Sequence, residues 1–210
     1  MVEKKIDRRI LRTRQKIKET FAQLMEEKGF EAMTVRDLTE RADINRGTFY
    51  LHYLDKYDLL EKSEDELFED MEKIADEVWG NLSLNQYDQV NLDEPFPFII
   101  QLFEYMEENY EFIRVLLGPN GNSAFQVRVK EVIKKKMLEK FLRYTQPEKM
   151  LVPMDYLVSY VSSAHLGVIQ QWLGRGMDRT PQEMALLLSN ISNFGPAYVA
   201  GLKEIIEEKK

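Results

Sequence analysis

Apolar residues recur every three or four positions along most of the chain, and this spacing predicts a protein built from α-helices. No stretch shows the strict alternation of apolar and polar residues between hairpin turns that is typical of strands. The fold class that we predict is therefore all-α, with about nine helices and a polar connector over residues 80–97. The predicted helices span residues 9–28, 34–42, 45–53, 56–79, 97–109, 111–117, 123–144, 154–174 and 180–208.

Short-range signals set the ends of the first four predicted helices. Gly29 is the expected C-terminal stop of the first helix. Thr34 and Asp37 resemble a capping box with Asp in place of Glu, and Asn45 is an N-cap candidate for the third helix. Asp55 has the same role before the long fourth helix. These signals place three helices, connected by tight turns, before residue 55.

Residues 34–56 read TVRDLTERADINRGTFYLHYLDK, which is two short helices around a tight turn, the helix-turn-helix arrangement. The apolar positions bury a small core and leave a mixed set of side chains facing outward. On a DNA-reading helix, Gly47 allows close approach of the backbone, hydroxyls can bind phosphate, and Leu51 can contact a thymine methyl. The outward set is Arg36, Arg46, Gly47, Thr48, Tyr50, Leu51 and His52.

This segment resembles the TetR/AcrR family of transcription regulators, in which an aromatic-rich recognition helix is followed by a lysine at the start of the next helix. Asp43 departs from the family, which often has glycine there, but Asp tolerates the left-handed conformation that the turn needs. The resemblance implies that Arg36 and the third helix contact DNA and that Lys56 binds phosphate. The DNA-binding residues implied are Thr34, Arg36, Arg46, Gly47, Thr48, Tyr50, Leu51, His52 and Lys56.

The later segments resemble, more loosely, the C-terminal region of one subgroup of these regulators, which includes regulators of dihydroxyacetone kinase operons. The division that follows is a DNA-binding domain over residues 1–54 and a helical effector-binding and dimerisation domain over residues 55–210. The resemblance does not identify an effector.

The charged residues are unevenly distributed along the chain, with the basic excess at the N-terminal end. The formal net charge is −7. Residues 1–56, however, hold 13 basic against 10 acidic side chains, and residues 1–18 hold eight against two. Salt screens charges beyond about 8 Å, so a basic end on an acidic body is compatible with DNA binding.

Predicted dimer and effector sites lie in the C-terminal region. Residues 156–174 are apolar on nearly all sides, so this helix needs two neighbours, and small residues at four-residue spacing permit a close helix contact. The dimer residues expected are Ser159, Ser163, Gly167, Leu188 and Ile191. A pocket for a neutral or cationic, partly hydrophobic effector is expected among Phe103, Tyr105, Phe112, Tyr156, Tyr160, His165 and Trp172.

Competing classes of function have little support in the residues. The chain has no cysteine and only two histidines, so neither a disulfide nor a multi-histidine metal site is expected. We predict no enzymatic activity, no cofactor and no membrane span, and a cytoplasmic location because no signal peptide precedes the first helix. The expected function is a homodimeric regulator, acting as a repressor that a small molecule releases from a pseudo-palindromic operator in double-stranded DNA. The alternative is a TetR-like coactivator or interaction module that does not itself read an operator.

Overall fold

The computed structural model describes residues 8–81, 95, 97–118, 121, 123–144 and 147–202. These residues form nine α-helices and one 3-10 turn at Pro147–Lys149, and none of them lies in a strand, so the predicted all-α class is confirmed. Most of the predicted connector lies outside the described residues. The helices are α1 (Arg8–Ala32), α2 (Val35–Arg41), α3 (Arg46–Tyr50), α4 (Lys56–Asn81), α5 (Pro97–Glu108), α6 (Tyr110–Leu117), α7 (Ser123–Tyr144), α8 (Met154–Gly174) and α9 (Pro181–Val199).

The local end signals act as predicted. Gly29 breaks the helical path of α1 with a φ of 78° and ψ of 163°, a conformation that strongly favours glycine, and one further turn reaches Ala32. Thr34 and Asp37 form a complete capping box at the start of α2. Asp43 adopts a left-handed φ of 49° in the turn before α3. The departure from glycine at this position is therefore accommodated.

Two predicted helices are longer than the observed ones. α3 stops at Tyr50 rather than residue 53, because the following residues turn the chain into α4, whose first amides donate to the Asp55 carboxylate. The last helix, predicted to reach residue 208, ends at Val199. Gly195, with a φ of 79°, interrupts it, and Leu202 N–H closes its end by donating to Ala197 O at 3.0 Å. Residues 203–210 lie outside the described part.

The chain divides into two compact units. The first contains residues 1–70 and 109–121, and the second contains residues 71–108 and 122–210. The helix-turn-helix thus lies in a unit that also takes in the first part of α4 and all of α6. The predicted boundary between residues 54 and 55 separates a DNA-binding domain from an effector-binding and dimerisation domain, and this division by function stays a prediction.

The core of the first unit is aromatic and aliphatic. Phe21 of α1 is fully buried, and its ring centroid lies 5.8 Å from that of Phe112 in α6 and 6.0 Å from that of Phe30. An ion pair between Glu26 and Arg114 also joins α1 to α6. Burial of large side chains of this kind provides the main driving force for packing.

The second unit packs α7 on α8 and α5 on α9. Phe103 of α5 meets Trp172 of α8 edge to face, with ring centroids 5.2 Å apart. The indole Nε1–H of Trp172 donates to Arg179 O at 2.9 Å, so the only polar atom of this buried side chain has a partner. Among the described helices, none has the length and apolar content needed to cross a bilayer.

Thr34 and Thr180 offer a matched test of capping, because each is the N-cap of a complete capping box in a different unit. We expect Thr34→Ala and Thr180→Ala each to lower the free energy of unfolding by about 0.5 to 2 kcal/mol, since an amide at the helix start loses its acceptor. Urea unfolding followed by circular dichroism measures the loss. Wild-type stability in both variants would contradict this account of the helix starts.

Candidate nucleic-acid interface

The site is organised around α3, which has only five residues. Asn45 is the N-cap of this helix, and its side-chain Oδ1 accepts a hydrogen bond from Gly47 N–H at 2.8 Å. A helix of this length is not stable by itself, so its place is set by packing against the rest of the unit.

Two aromatic residues anchor α3 and the turn after it. Phe49 is 0% exposed and Tyr53 is 1% exposed, and their ring centroids are 5.6 Å apart. Leu38 and Ala42 of the preceding helix and turn are buried as well. With this face inward, the side chains of Arg46 and Tyr50 point to solvent.

The outward side of α3 carries exposed polar and apolar groups together. Leu51 is 82% exposed and Tyr50 is 55% exposed, although both have large apolar surfaces that burial would favour. Arg46 and Gly47 are exposed as well, and Thr48 is half-buried. Such a mixture of a cation, a phenol and an aliphatic side chain is suited to a duplex, which presents phosphates and thymine methyls together.

His52 lies at the end of this surface and is half-buried. Burial and the positive charge of Arg14 lower its pKa below the usual value of 6.5. The imidazole is therefore mainly neutral at pH 7 and is suited to hydrogen bonding rather than to charge neutralisation.

Thr34 and Arg36, the implied contacts from α2, both have partners within the chain. The Thr34 hydroxyl belongs to the capping box, and Arg36 Nε lies 2.6 Å from Glu40 Oε1 on an exposed face. Asp37 completes the box, and hydrogen bonds from Lys28 and Thr34 hold its pKa well below the usual range. An exposed pair such as Arg36 and Glu40 is weak, so the guanidinium remains able to exchange Glu40 for phosphate.

Lys56 has a structural role that the resemblance does not imply. Its Nζ donates to Phe30 O at 2.9 Å and to Glu31 O at 3.0 Å, and lies 4.8 Å from the centroid of the Phe30 ring. The ammonium thus ties the start of α4 to the end of α1. The implied phosphate contact stays a prediction.

Sequence reasoning missed the polar contacts that join α1 to the end of the recognition segment. Arg14 Nε donates to Tyr53 Oη at 3.5 Å, and Arg14 and Lys18 both pair with Glu66 of α4. Arg14 and Tyr53 are 39 residues apart in the sequence, and Lys18 and Glu66 are 48 residues apart. A pattern of neighbouring residues therefore does not predict these contacts.

The residues predicted to line an effector pocket do not come together as one set. Phe103 and Trp172 are in contact and buried in the second unit, whereas Phe112 packs on Phe21 in the first. Tyr156 and Tyr160 are 71% and 55% exposed on α8. Tyr105 is half-buried.

His165 is buried, and its Nε2 lies 2.9 Å from Ser192 Oγ. That hydroxyl donates in turn to Leu188 O at 2.8 Å. Ser192 thus has its own hydrogen directed to a carbonyl, so Nε2 of His165 is the donor in their contact. The histidine joins α8 to α9 through a polar pair within the second unit.

The predicted dimer residues fall into two groups. Ser159, Ser163 and Gly167 lie on the exposed side of α8, and a Cβ atom added at Gly167 would have nothing of the described residues within 4 Å. Leu188 is 6% exposed and Ile191 is half-buried, so most of their surface is already used in their own chain. The exposed apolar side chains of α9 include instead Leu186 and Phe194, at 39% and 37%, and Tyr198 and Val199, both at 45%.

Two family models match the chain. The model for bacterial regulatory proteins of the tetR family matches residues 19–62, and a TetR C-terminal model, described as a transcriptional regulator C-terminal region, matches residues 93–194. A curated relative, the uncharacterized HTH-type transcriptional regulator YxbF of Bacillus subtilis (strain 168), is 42% identical over 60 residues. These residues are 28% of this chain and only 16% of that protein.

Solved structures share the fold. A TetR transcriptional regulator from Streptococcus agalactiae 2603V has a TM-score of 0.56 at 21% identity, over 88% of this chain and 96% of that chain. The dihydroxyacetone kinase operon activator DhaS has a TM-score of 0.51 at 18% identity, over 92% of this chain and 97% of that chain.

The contacts of Lys56 lead to a stability prediction. We expect Lys56→Met to lower the free energy of unfolding by about 1.5 kcal/mol, because charged hydrogen bonds to two carbonyls are lost while the aliphatic stem is kept. Lys16→Met is the control, since Lys16 is an exposed lysine of α1 in the same unit and should contribute less. Chemical unfolding compares the two, and equal losses would contradict the role assigned to Lys56.

Proposed function

Since the chain belongs to the TetR family of bacterial transcriptional regulators, we propose that it binds operator DNA as a homodimer and that a small molecule controls this binding. The observation that supports DNA binding best is the outward side of α3, where Tyr50 and Leu51 are exposed beside Arg46. The chain acts by binding rather than by catalysis, and it works where the chromosome is, in the cytoplasm.

In the proposed complex, the two copies insert their α3 helices into successive major grooves, about 34 to 36 Å apart, of a pseudo-palindromic site. Arg46, Thr48 and Tyr50 contact the duplex, and Leu51 packs against a thymine methyl. The Thr34 hydroxyl and Lys56 are engaged within the chain, so their predicted contacts with DNA must be shared with these internal partners.

The proposed dimer uses the exposed sides of α8 and α9. No charged residue occurs from 156 to 174 or from 184 to 202, although both helices have an exposed side. A solvated helix face is normally rich in charge, whereas the centre of an interface is depleted of it. Small residues at Ser163 and Gly167 allow two copies of α8 to approach closely, and Tyr160, Leu186 and Phe194 supply apolar contact area.

The effector pocket is proposed within the second unit, among α5, α8 and α9. Phe103, Trp172 and His165 are the predicted residues that lie buried there, and they combine apolar surface with polar atoms in the manner of small-molecule sites. The expected effector remains a neutral or cationic, partly hydrophobic compound. To act, it must bind one conformation more tightly than the other, because equal affinity would shift no equilibrium.

The sign of regulation is proposed as repression, in which the effector releases the operator. The structural neighbour DhaS is named an operon activator, so activation is the second candidate. Transcription from the chain's own upstream region, measured in vitro with and without the protein, separates the two. Binding to a partner protein without any footprint on DNA would favour the alternative of an interaction module.

Two exposed leucines give a matched test of DNA recognition. We expect Leu51→Ala to weaken binding to the operator, located by footprinting the upstream region, by roughly tenfold, near the lower end of what one base contact contributes. Leu151→Ala removes a leucine that is 98% exposed in the second unit and should change nothing. Tyr50→Phe, which removes only the hydroxyl, should also weaken binding. Gel shifts measure all three, and unchanged affinity for Leu51→Ala and Tyr50→Phe would contradict the assignment of α3.

The dimer is tested at Gly167. A Cβ added there has no described atom within 4 Å and the position is exposed, so we expect Gly167→Leu to fold normally. We expect it to weaken the dimer by roughly tenfold or more, since overpacking costs about 1 to 3 kcal/mol. Gln23→Leu, at an exposed position of α1, is the control for added apolar surface. Sedimentation equilibrium gives the dissociation constants, and a monomeric wild type or an unaffected variant dimer would refute this interface.

A further inference from the structure

Two charged residues of α4 hold the backbone of the segment that follows α3. Lys62 Nζ donates to His52 O at 3.3 Å, and Asp58 Oδ2 accepts from Leu54 N–H at 2.8 Å. The two side chains also pair with each other at 2.8 Å, four residues apart on one side of α4. Asp58 and Lys62 together form the α4 pair, which none of the roles described above uses.

The two backbone hydrogen bonds lie on either side of Tyr53. His52 O belongs to the peptide group before Tyr53, and Leu54 N–H belongs to the peptide group after it. The side chain of Tyr53 is held as well, since its ring centroid lies 5.8 Å from Lys62 Nζ and its hydroxyl accepts from Arg14 Nε at 3.5 Å. Both the backbone and the side chain of this buried residue are therefore fixed by contacts from outside α3.

Glu66 continues the same side of α4 one turn further on. It pairs with Arg14 and Lys18 of α1, so α4 also holds the part of α1 that contacts the Tyr53 hydroxyl. All of these residues belong to the first compact unit. One side of α4 thus connects α1 to the end of the recognition segment.

The segment held in this way carries part of the predicted DNA-binding surface. α3 ends at Tyr50, and the exposed Leu51 and the half-buried His52 follow directly. A helix of five residues does not fix its own direction. Reading base edges requires accurately placed side chains, whereas attraction to the phosphates acts through charge and is independent of sequence. A shift of the backbone around Tyr53 therefore affects sequence recognition more than general attraction to DNA.

We propose that the α4 pair positions the recognition segment and thereby determines how well the chain distinguishes its operator from other DNA. The proposal rests on the proposed DNA-binding function and identifies positioning residues that do not themselves contact the duplex. Lys62 is the better residue to test, because Asp58 also lies in the first turn of α4, where a carboxylate stabilises the helix start. An exposed ion pair at this spacing contributes little to stability, so the effect is expected in recognition rather than in folding.

The test compares the affinities for two duplexes. One is the operator, located by footprinting the upstream region, and the other is an unrelated duplex of equal length. Fluorescence anisotropy measures both between roughly 50 and 200 mM KCl. The variants are Lys62→Met, which keeps the aliphatic stem, and Lys62→Arg, which keeps a cationic donor. Lys135→Met, at an exposed position of α7 in the second unit, is the control for the same loss of charge.

We expect Lys62→Met to lower the ratio of operator affinity to unrelated affinity by roughly tenfold, the equivalent of about one lost base contact. On the unrelated duplex, its affinity and the slope of log affinity against log salt should stay unchanged. Lys62→Arg and Lys135→Met should keep the wild-type ratio. Partial unfolding lowers both affinities by the same factor, so loss of stability alone does not change the ratio.

Other results would overturn the proposal. An unchanged ratio in Lys62→Met, or an equal fall in either of the other variants, would show that the cationic donor does not position the segment. An equal loss of affinity for both duplexes, with a slope lower by about 0.9, would show that Lys62 binds phosphate directly. Each of these results leaves DNA binding through α3 intact, whereas a wild type that binds neither duplex would overturn the proposed function as well.

Hydrogen exchange in the absence of DNA tests the same contacts. We expect the amides of residues 52–54 to exchange faster in Lys62→Met than in Lys62→Arg, because local opening becomes easier where a backbone contact is lost. The amides of α1 should exchange at wild-type rates in both variants. Identical exchange of residues 52–54 in the two variants would contradict the positioning role.

Discussion

The burial of Phe49 and Tyr53 is the constraint on which the rest of the interface depends. A five-residue helix forms too few hydrogen bonds to offset the cost of its nucleation, so α3 exists only because these two rings fill the core of its unit. Their inward direction determines the outward direction of Tyr50 and Leu51. The apolar surface that those two side chains expose is thus a consequence of how α3 is anchored, and a duplex is the partner that can cover it.

The same unit uses its charges in two distinct ways. Some cations are consumed by the fold: Lys56 binds two carbonyls at the end of α1, and Arg14 shares Glu66 with Lys18. Others, such as Arg46, remain exposed. A count of basic residues from the sequence does not separate these roles, because an ammonium with internal acceptors must give them up before it can bind phosphate at full strength.

The predictions that held depend on residues close together in sequence. The capping box of Thr34 and Asp37, the break at Gly29 and the left-handed Asp43 are each specified within a few positions, so a local pattern carries the information. The contacts that were missed join distant segments, as in the pair of Arg114 and Glu26, 88 residues apart. Their geometry follows from how helices pack, which periodicity does not determine.

For the predicted site residues of the second unit, the sequence pattern did not determine which side of each helix is buried. Ser163 and Gly167 lie on the exposed side of α8, but Leu188 faces its own core while Leu186 is exposed. Successive side chains point about 100° apart around the helix axis. An error in the assumed rotation of a helix about its axis therefore exchanges buried and exposed residues. Both helices are apolar on most sides, and such a pattern does not indicate which side of the helix faces the core.

Chain connectivity bears on how an effector could act. α4 begins in the first unit and continues into the second beyond Asp70, and the segment 109–121 leaves the second unit to place α6 in the first. The ring contact of Phe112 with Phe21 and the ion pair of Arg114 with Glu26 then join α6 to α1. α5 and α7 flank this segment in sequence, so the backbone connects both of them to a helix that packs on α1. In the proposed regulation, α4 and α6 are the two helices through which the chain connects the effector-binding unit to the DNA-binding unit. A ligand that favours one position of either helix over another would shift the equilibrium between two conformations.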